Sequence, residues 1–234
     1  MQRDSHTTTP TAVVTGGSRG LGLALVRALA TGGWRVVTDA RDGKALGAAA
    51  GDLEGVTAVT GDVADIAHRR ALARAVGDTS LDALILNAGI LGPSPLPRID
   101  EYPLDLLTRV YEVNVVAQVG LLQALLPRLR PGAVVIGITS DAAVQPYGSW
   151  AGYGSSKAAL DQVLHIFGAE HPDLRVYAAD PGDMRTRMHA EAFPGEDISD
   201  RPEPEASVPG LRRLLAGDLP SGRYAASDLE VPVS

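Results

Sequence analysis

Thr11-Ala-Val-Val-Thr15-Gly16-Gly-Ser18-Arg19-Gly20-Leu21-Gly22-Leu-Ala-Leu-Val-Arg-Ala-Leu-Ala30 passes from a short apolar strand, through a glycine-rich turn, into a strong helix former. Glycines let backbone approach a phosphate closely, and the N–H groups and dipole of the following helix face its negative charge. The spacing is Gly-x-x-x-Gly-x-Gly, distinct from the commoner Gly-x-Gly-x-x-Gly fingerprint. A bare glycine pattern carries little. Its position between strand and helix carries the reading, a cradle for the pyrophosphate of a dinucleotide.

The rest of the chain repeats the same alternation. Trp34–Thr38 is a second strand that runs into Asp39-Ala-Arg41-Asp, and Val56–Thr60 a third that runs into Gly61-Asp62-Val63. A helix follows over Ile66–Val76 with Asp65 as its N-cap. Leu81–Leu86 is the fourth strand and ends in Asn87-Ala88-Gly89; Ile90–Pro103, with four prolines, is a loop. Leu104–Leu129 reads as one long helix, Ala133–Thr139 as a strand, and the residues from Tyr153 onward as a helix. Leu174–Ala179, Ala206–Leu215 and Gly222–Ala226 read as strand, helix and strand. Strands alternating with helices predict one α/β domain: a Rossmann-type, doubly wound, seven-stranded, mostly parallel sheet with helices on both faces. Residues 1–10 read as a disordered leader, 11–234 as that domain, and about 183–205, rich in Pro, Gly and acids, as a mobile substrate flap.

The chemistry-bearing stretch starts at Ser140, where the strand before it ends, and reaches Tyr153-Gly-Ser-Ser-Lys157. On a helix Tyr153 and Lys157 lie one turn apart on one face. A free phenol is a poor acid near neutrality, and an ammonium beside it favours the phenolate and lowers its pKa. Ser140 offers a hydroxyl for the same substrate oxygen. Taken alone, Tyr-x-x-x-Lys is better read as a chance surface pair. Asn114, within an apolar helix face, needs a partner if buried and is equally read as a satisfied core amide.

Composition narrows the classes. A net charge of −7 without a basic patch argues against nucleic acid. With no cysteine there is no disulfide or thiol nucleophile, and the five histidines show no ligand spacing, so no metal is expected. No apolar run reaches membrane-span length, and the polar leader lacks a signal peptide's apolar core, so a cytoplasmic protein is expected.

Thr15-Gly16-x-x-x-Gly20-x-Gly22, Asp62-Val63, Asn87-Ala88-Gly89, Asn114, Ser140, Tyr153-x-x-x-Lys157 and Pro181-Gly182-x-x-x-Thr186 occur in this order. Together, over nearly everything from Thr11 to Ala226, they resemble the short-chain dehydrogenase/reductase family. The resemblance implies hydride transfer between a nicotinamide and a carbonyl carbon. It implies that Tyr153 is the general acid or base, that Lys157 tunes it and holds the nicotinamide ribose, that Ser140 orients the carbonyl, and that Asn114 keeps a relay water. It implies cofactor contacts from Gly16, Ser18, Arg19, Gly20, Leu21, Gly22, Asp62, Val63, Asn87, Ala88, Gly89, Pro181, Gly182, Met184 and Thr186. Arg41 stands where an arginine accommodates a 2′-phosphate, and the position of the NAD-selecting acid falls on Ala40, so NADP(H) is favoured over NAD(H).

Gln145–Tyr153, Ala169–Val176 and Ser221-Gly-Arg-Tyr resemble the sepiapterin reductase and benzil reductase-like branch. That branch anchors its pterin with an Asp where Ala226 stands here, so a small apolar or aromatic ketone or dicarbonyl is the expected substrate. Leu91, Val144, Tyr147, Trp150, Met188 and Phe193 are its expected wall. A homodimer or homotetramer is expected, because Val119, Leu122, Leu125, Leu160, Val163 and Ile166 widen the apolar faces of two helices. The rival reading is a catalytically silent dinucleotide-sensing or scaffolding protein on the same fold.

Overall fold

Short apolar runs form the inner strands here because neighbouring strands and two helical layers bury both their faces. The computed structural model describes residues 9–229. Its strands are β1 (Thr11–Val14), β2 (Arg35–Ala40), β3 (Val56–Thr60), β4 (Leu81–Leu86), β5 (Leu129–Ile138), β6 (Arg175–Asp180) and β7 (Gly222–Ala225). They form a single seven-stranded sheet in the order β3-β2-β1-β4-β5-β6-β7. Every pairing is parallel.

The helices are α1 (Gly20–Thr31), α2 (Gly43–Ala50), α3 (Ile66–Val76), α4 (Leu104–Tyr111), α5 (Ala117–Leu125), α6 (Ala151–Glu170), α7 (Arg187–Ala192) and α8 (Val208–Leu215). Alternation along each strand splits the core. Ala12, Val14, Ala83 and Ile85 pack with Leu25 and Leu29 of α1 and Leu211 and Leu214 of α8. Val13, Leu84 and Leu86 face the other way, onto Leu72 of α3, Leu121 of α5 and Leu164 of α6. Each such leucine, fully buried, contributes about 1.5–3 kcal/mol. The strand order reverses between β1 and β4, and a crevice opens there at the carboxyl ends of the strands, where doubly wound folds bind ligands.

The expected long helix is interrupted. A five-residue π-helical turn, Glu112–Val116, separates α4 from α5. At its centre is Asn114, whose side chain bonds outside the helix: Oδ1 accepts from Ile90 N–H at 2.8 Å, and Nδ2 donates to Ile90 O at 2.9 Å and Ser156 Oγ at 3.0 Å. Such turns concentrate at functional sites. The run Leu104–Arg128 is long and apolar enough to span a membrane by length and composition. In the fold it is a core helix, with Val110, Ala117, Leu121 and Leu125 buried.

Helix α3 begins at the expected N-cap, with Asp65 Oδ1 accepting from Ala67 N–H at 2.8 Å. Helix α2 has no counterpart in the sequence reading, because Gly43, Gly47 and short alanines hide its periodicity. The segment expected to be a substrate flap contains local structure. It carries α7, and Arg185 pairs with Glu203, Arg187 with Glu191 and Arg201 with Asp183. The acids of the segment supply the anions of these pairs. Most of the expected leader, residues 1–8, lies outside the described residues.

Candidate active site

The glycine-rich turn folds back on itself. Gly16 takes φ +77°, a left-handed conformation that favours glycine, and a Cβ at Gly22 would collide with the Gly16 carbonyl and the Asn87 amide. No side chain caps the start of α1, so its first N–H groups face the crevice. Across the switch point, Asn87 ties the strand ends together. Its Nδ2 donates to Thr15 O at 2.8 Å, and the N–H groups of Asn87 and Ala88 donate to Thr15 Oγ1, each at 3.0 Å.

At the end of β2, Asp39 is buried and both its oxygens are taken: Oδ1 by Gly16 N–H at 2.8 Å and Oδ2 by His68 Nε2 at 2.7 Å. Ala40 and the exposed Arg41 follow it onto the cleft wall, with Arg19 also exposed on that wall. Asp62 lies beside them. Burial works to raise its carboxyl, but hydrogen bonds from Ala64 N–H at 2.9 Å and from Arg109 at 2.6 Å outweigh it and hold the acid below its ordinary range. Arg109, on α4, has no motif to announce it.

The cleft, about 1150 Å³, brings together almost every predicted site residue. Gly16, Ser18, Arg19, Gly20, Leu21, Gly22, Arg41, Asp62, Val63, Asn87, Ala88 and Gly89 line one end; Ser140, Tyr153 and Lys157 the middle; Pro181, Gly182, Met184 and Thr186 the other wall. Thr186 also caps α7, its Oγ1 accepting from His189 N–H at 3.2 Å. Asn114 lies behind the cleft, near Gly89 and Lys157. Gly16 and Gly22 let the turn close tightly against Asn87 and Ala88, and the uncapped α1 and two arginines answer phosphate charge. The residues present therefore fit a dinucleotide.

Burial dominates the surroundings of Tyr153. Tyr153 is buried at 9 % exposure, and burial, with the Asp180 and Asp141 carboxylates, pushes its phenol well above the ordinary value against the Ser140 hydroxyl. The Lys157 Nζ donates to Ile138 O at 2.8 Å and stands 5.5 Å from the Tyr153 ring centroid. Burial lowers Lys157 itself to about 8, against a raising pull from Asp161. Desolvation wins over the helix-face pairing. Ser140 Oγ donates to Asp141 Oδ1 at 2.9 Å, while Tyr147 OH donates to the other Asp141 oxygen at 2.8 Å. Asp141, Asp180 and Ser156 carry no signal in the sequence beyond adjacency to motif residues.

Of the expected substrate wall, Leu91, Trp150 and Met188 line the cleft, and Leu91, Tyr153, Trp150 and Met188 pack as one cluster. Phe193 stacks on Trp150 at a centroid distance of 5.7 Å. Tyr147 and Val144 are not on that wall. Tyr147 turns into a neighbouring groove, held by Asp141, and Val144 is 57 % exposed. A one-turn helix over Asp141–Ala143 redirects the chain after Ser140 and carries both side chains away.

A family model described as short chain dehydrogenase matches residues 10–197. A rhamnolipids biosynthesis 3-oxoacyl-[acyl-carrier-protein] reductase from Pseudomonas aeruginosa is 36 % identical over 76 % of this chain and 73 % of its own length. A sepiapterin reductase from Xenopus tropicalis is 32 % identical over 94 % of this chain and 86 % of its own length. Among solved structures, a short chain dehydrogenase from Escherichia coli CFT073 complexed with NADPH superposes with a TM-score of 0.86, at 27 % identity. It covers 93 % of this chain and 96 % of the other.

Proposed function

The chain belongs to the short-chain dehydrogenase family and is an oxidoreductase, and on that premise we propose that it reduces a small apolar or aromatic ketone or dicarbonyl with NADPH, or runs the reverse. The observation that carries this reading is one cleft that joins the glycine-rich turn to Ser140, Tyr153 and Lys157 and ends in an apolar cluster. When bound, the nicotinamide supplies or takes the hydride.

The residues supply position and the proton. Tyr153 gives its phenolic proton to the substrate oxygen as negative charge develops there, a role worth ~10²–10⁴ in rate. A phenol kept protonated by burial suits that role in the reductive direction. Ser140 donates to the same oxygen once its hydroxyl turns from Asp141. Lys157 holds the ribose hydroxyls and offsets charge on Tyr153 during transfer. Asn114, fixed on Ile90 and Ser156, lies close enough to Lys157 to organise a water beside it. Arg41 and Arg19 hold a 2′-phosphate by charge-assisted hydrogen bonds, which favours NADP(H). Leu91, Trp150, Met188 and Phe193 exclude water from the reacting carbonyl.

Homo-oligomer formation is part of the same reading. A groove of about 960 Å³ beside α4 and α6 is lined by Ile99, Leu104, Tyr111, Val116 and Tyr147. Ile99, Leu104 and Val116 are 79 %, 74 % and 60 % exposed, large apolar side chains that a second copy would bury. Of the residues first assigned to this contact, Leu122, Leu125 and Leu160 belong to the chain's own core instead. Spectrophotometric assay of NADPH oxidation with a carbonyl panel tests the function; binding without oxidation of any member would favour the silent sensor.

A further inference from the structure

Arg223 on β7 reaches three elements with one guanidinium. Its Nε donates to Asp161 Oδ2 at 3.1 Å, and its Nη2 donates to Ser140 O at 2.9 Å and Asp180 Oδ2 at 3.2 Å. The arginine side chain is 25 % exposed and the two acids only 10 % and 11 %. Arg223 does not line the cleft. Its partners are nevertheless tied to the chemistry: Ser140 bears the hydroxyl, Asp161 lies one turn beyond Lys157 on α6, and Asp180 precedes Pro181-Gly182.

We infer that Arg223 is a positioning residue of this active site, fixing Ser140 through its carbonyl and offsetting the Asp161 and Asp180 charges behind the Tyr153–Lys157 pair. The inference rests on the proposed function for the roles of those three residues. A guanidinium presents donors in a rigid fork, whereas an ammonium is a point charge on a flexible stem and matches this three-way geometry poorly. The bland alternative is a structural bridge that staples β7 to the sheet.

Charge separates the two. The groups facing the pair are Asp161 on α6, Asp141 after β5, Asp180 at the end of β6 and Arg223 on β7. Asp180 and Asp141 raise the Tyr153 phenol, and Asp161 raises Lys157 against the pull of burial. Removing the cation leaves the carboxylates uncompensated, so both proton affinities must rise. A bridge that only holds β7 in place, with its charge screened from the pair, moves neither.

The chain has only two lysines, Lys44 and Lys157, and Lys44 is exposed. Carbon-13 NMR of labelled lysine side chains in the full chain therefore follows Lys157 without any substrate. In R223Q, which drops the charge, its midpoint should rise from about 8 by roughly half a pH unit or more. In R223K, which keeps the charge, it should stay in place. Turnover of NADPH with a dicarbonyl should fall about tenfold in R223Q and about threefold in R223K, with NADPH affinity little changed, since the Ser140 tie is lost in both. An unmoved Lys157 in folded R223Q overturns the inference, and so does a wild-type kcat in R223K, which decides alone if R223Q does not fold. A wild type that reduces no carbonyl sinks the proposed function instead, and the lysine titration still judges Arg223.

Discussion

Asp39 Oδ2 lies 2.7 Å from His68 Nε2, a buried pair behind the glycine-rich turn. With its other oxygen on Gly16 N–H and almost no exposed surface, the acid near the end of β2 is turned inward, away from a ribose hydroxyl. The wall position passes to Ala40 and the charge to Arg41. Arg41→Ala should therefore raise the KM for NADPH about tenfold or more, as expected for one charge-assisted contact, while moving that for NADH little. An unchanged ratio, or a wild type that prefers NADH, would return the selector role to Asp39.

Tyr153→Phe keeps the ring that packs against Leu91 and Trp150 and removes only the hydroxyl. Its kcat should fall by ~10²–10⁴, with NADPH affinity within about threefold of wild type by fluorescence titration. Retention of more than about a tenth of kcat would assign the proton to another group.

Lys157 is a stability cost in the free protein. Burial lowers it from 10.5 to about 8, so the folded state holds fewer protons between those values. Below pH 8 the penalty is complete, and it fades as pH rises through that window. Lys157→Met should be more stable than wild type at pH 7 by about 1–3 kcal/mol, the gap closing by about pH 10.5, while activity is lost. Denaturant melts across that range check both the sign and the window. A Met variant that is less stable at every pH would mean the Ile138 carbonyl it leaves unpaired outweighs the desolvation.

The exposed apolar groove predicts association. Light scattering should give at least twice the 24.3 kDa chain mass at micromolar concentration, and Leu104→Glu with Val116→Glu should return a single-chain particle. A wild type that stays single at that concentration removes the oligomer from the account.

The sheet was legible because most strands are short apolar runs that break off at a polar, glycine or proline turn, and α3 because Asp65 caps a clean apolar period. The cleft residues were legible because their spacing fixes them at strand ends. What escaped depends on contacts distant in sequence. At the π-helical turn Asn114 bonds Ile90 and Ser156, contacts with segments 24 and 42 positions away. Tyr147 left the substrate wall because Asp141 holds its hydroxyl. The phenol stays high because burial and two carboxylates surround it, which no i, i+4 spacing reveals. Arg223 reaches Ser140 across 83 positions of chain.

The central claim, carbonyl reduction through Tyr153, is tested most directly by following NADPH absorbance with benzil and related aryl dicarbonyls beside charged sugar aldehydes. The account predicts oxidation with the aryl dicarbonyls, several-fold faster at least than with the sugars, and its loss in Tyr153→Phe. NADPH that binds but is not oxidised by any member, or equal rates on both classes, would contradict it.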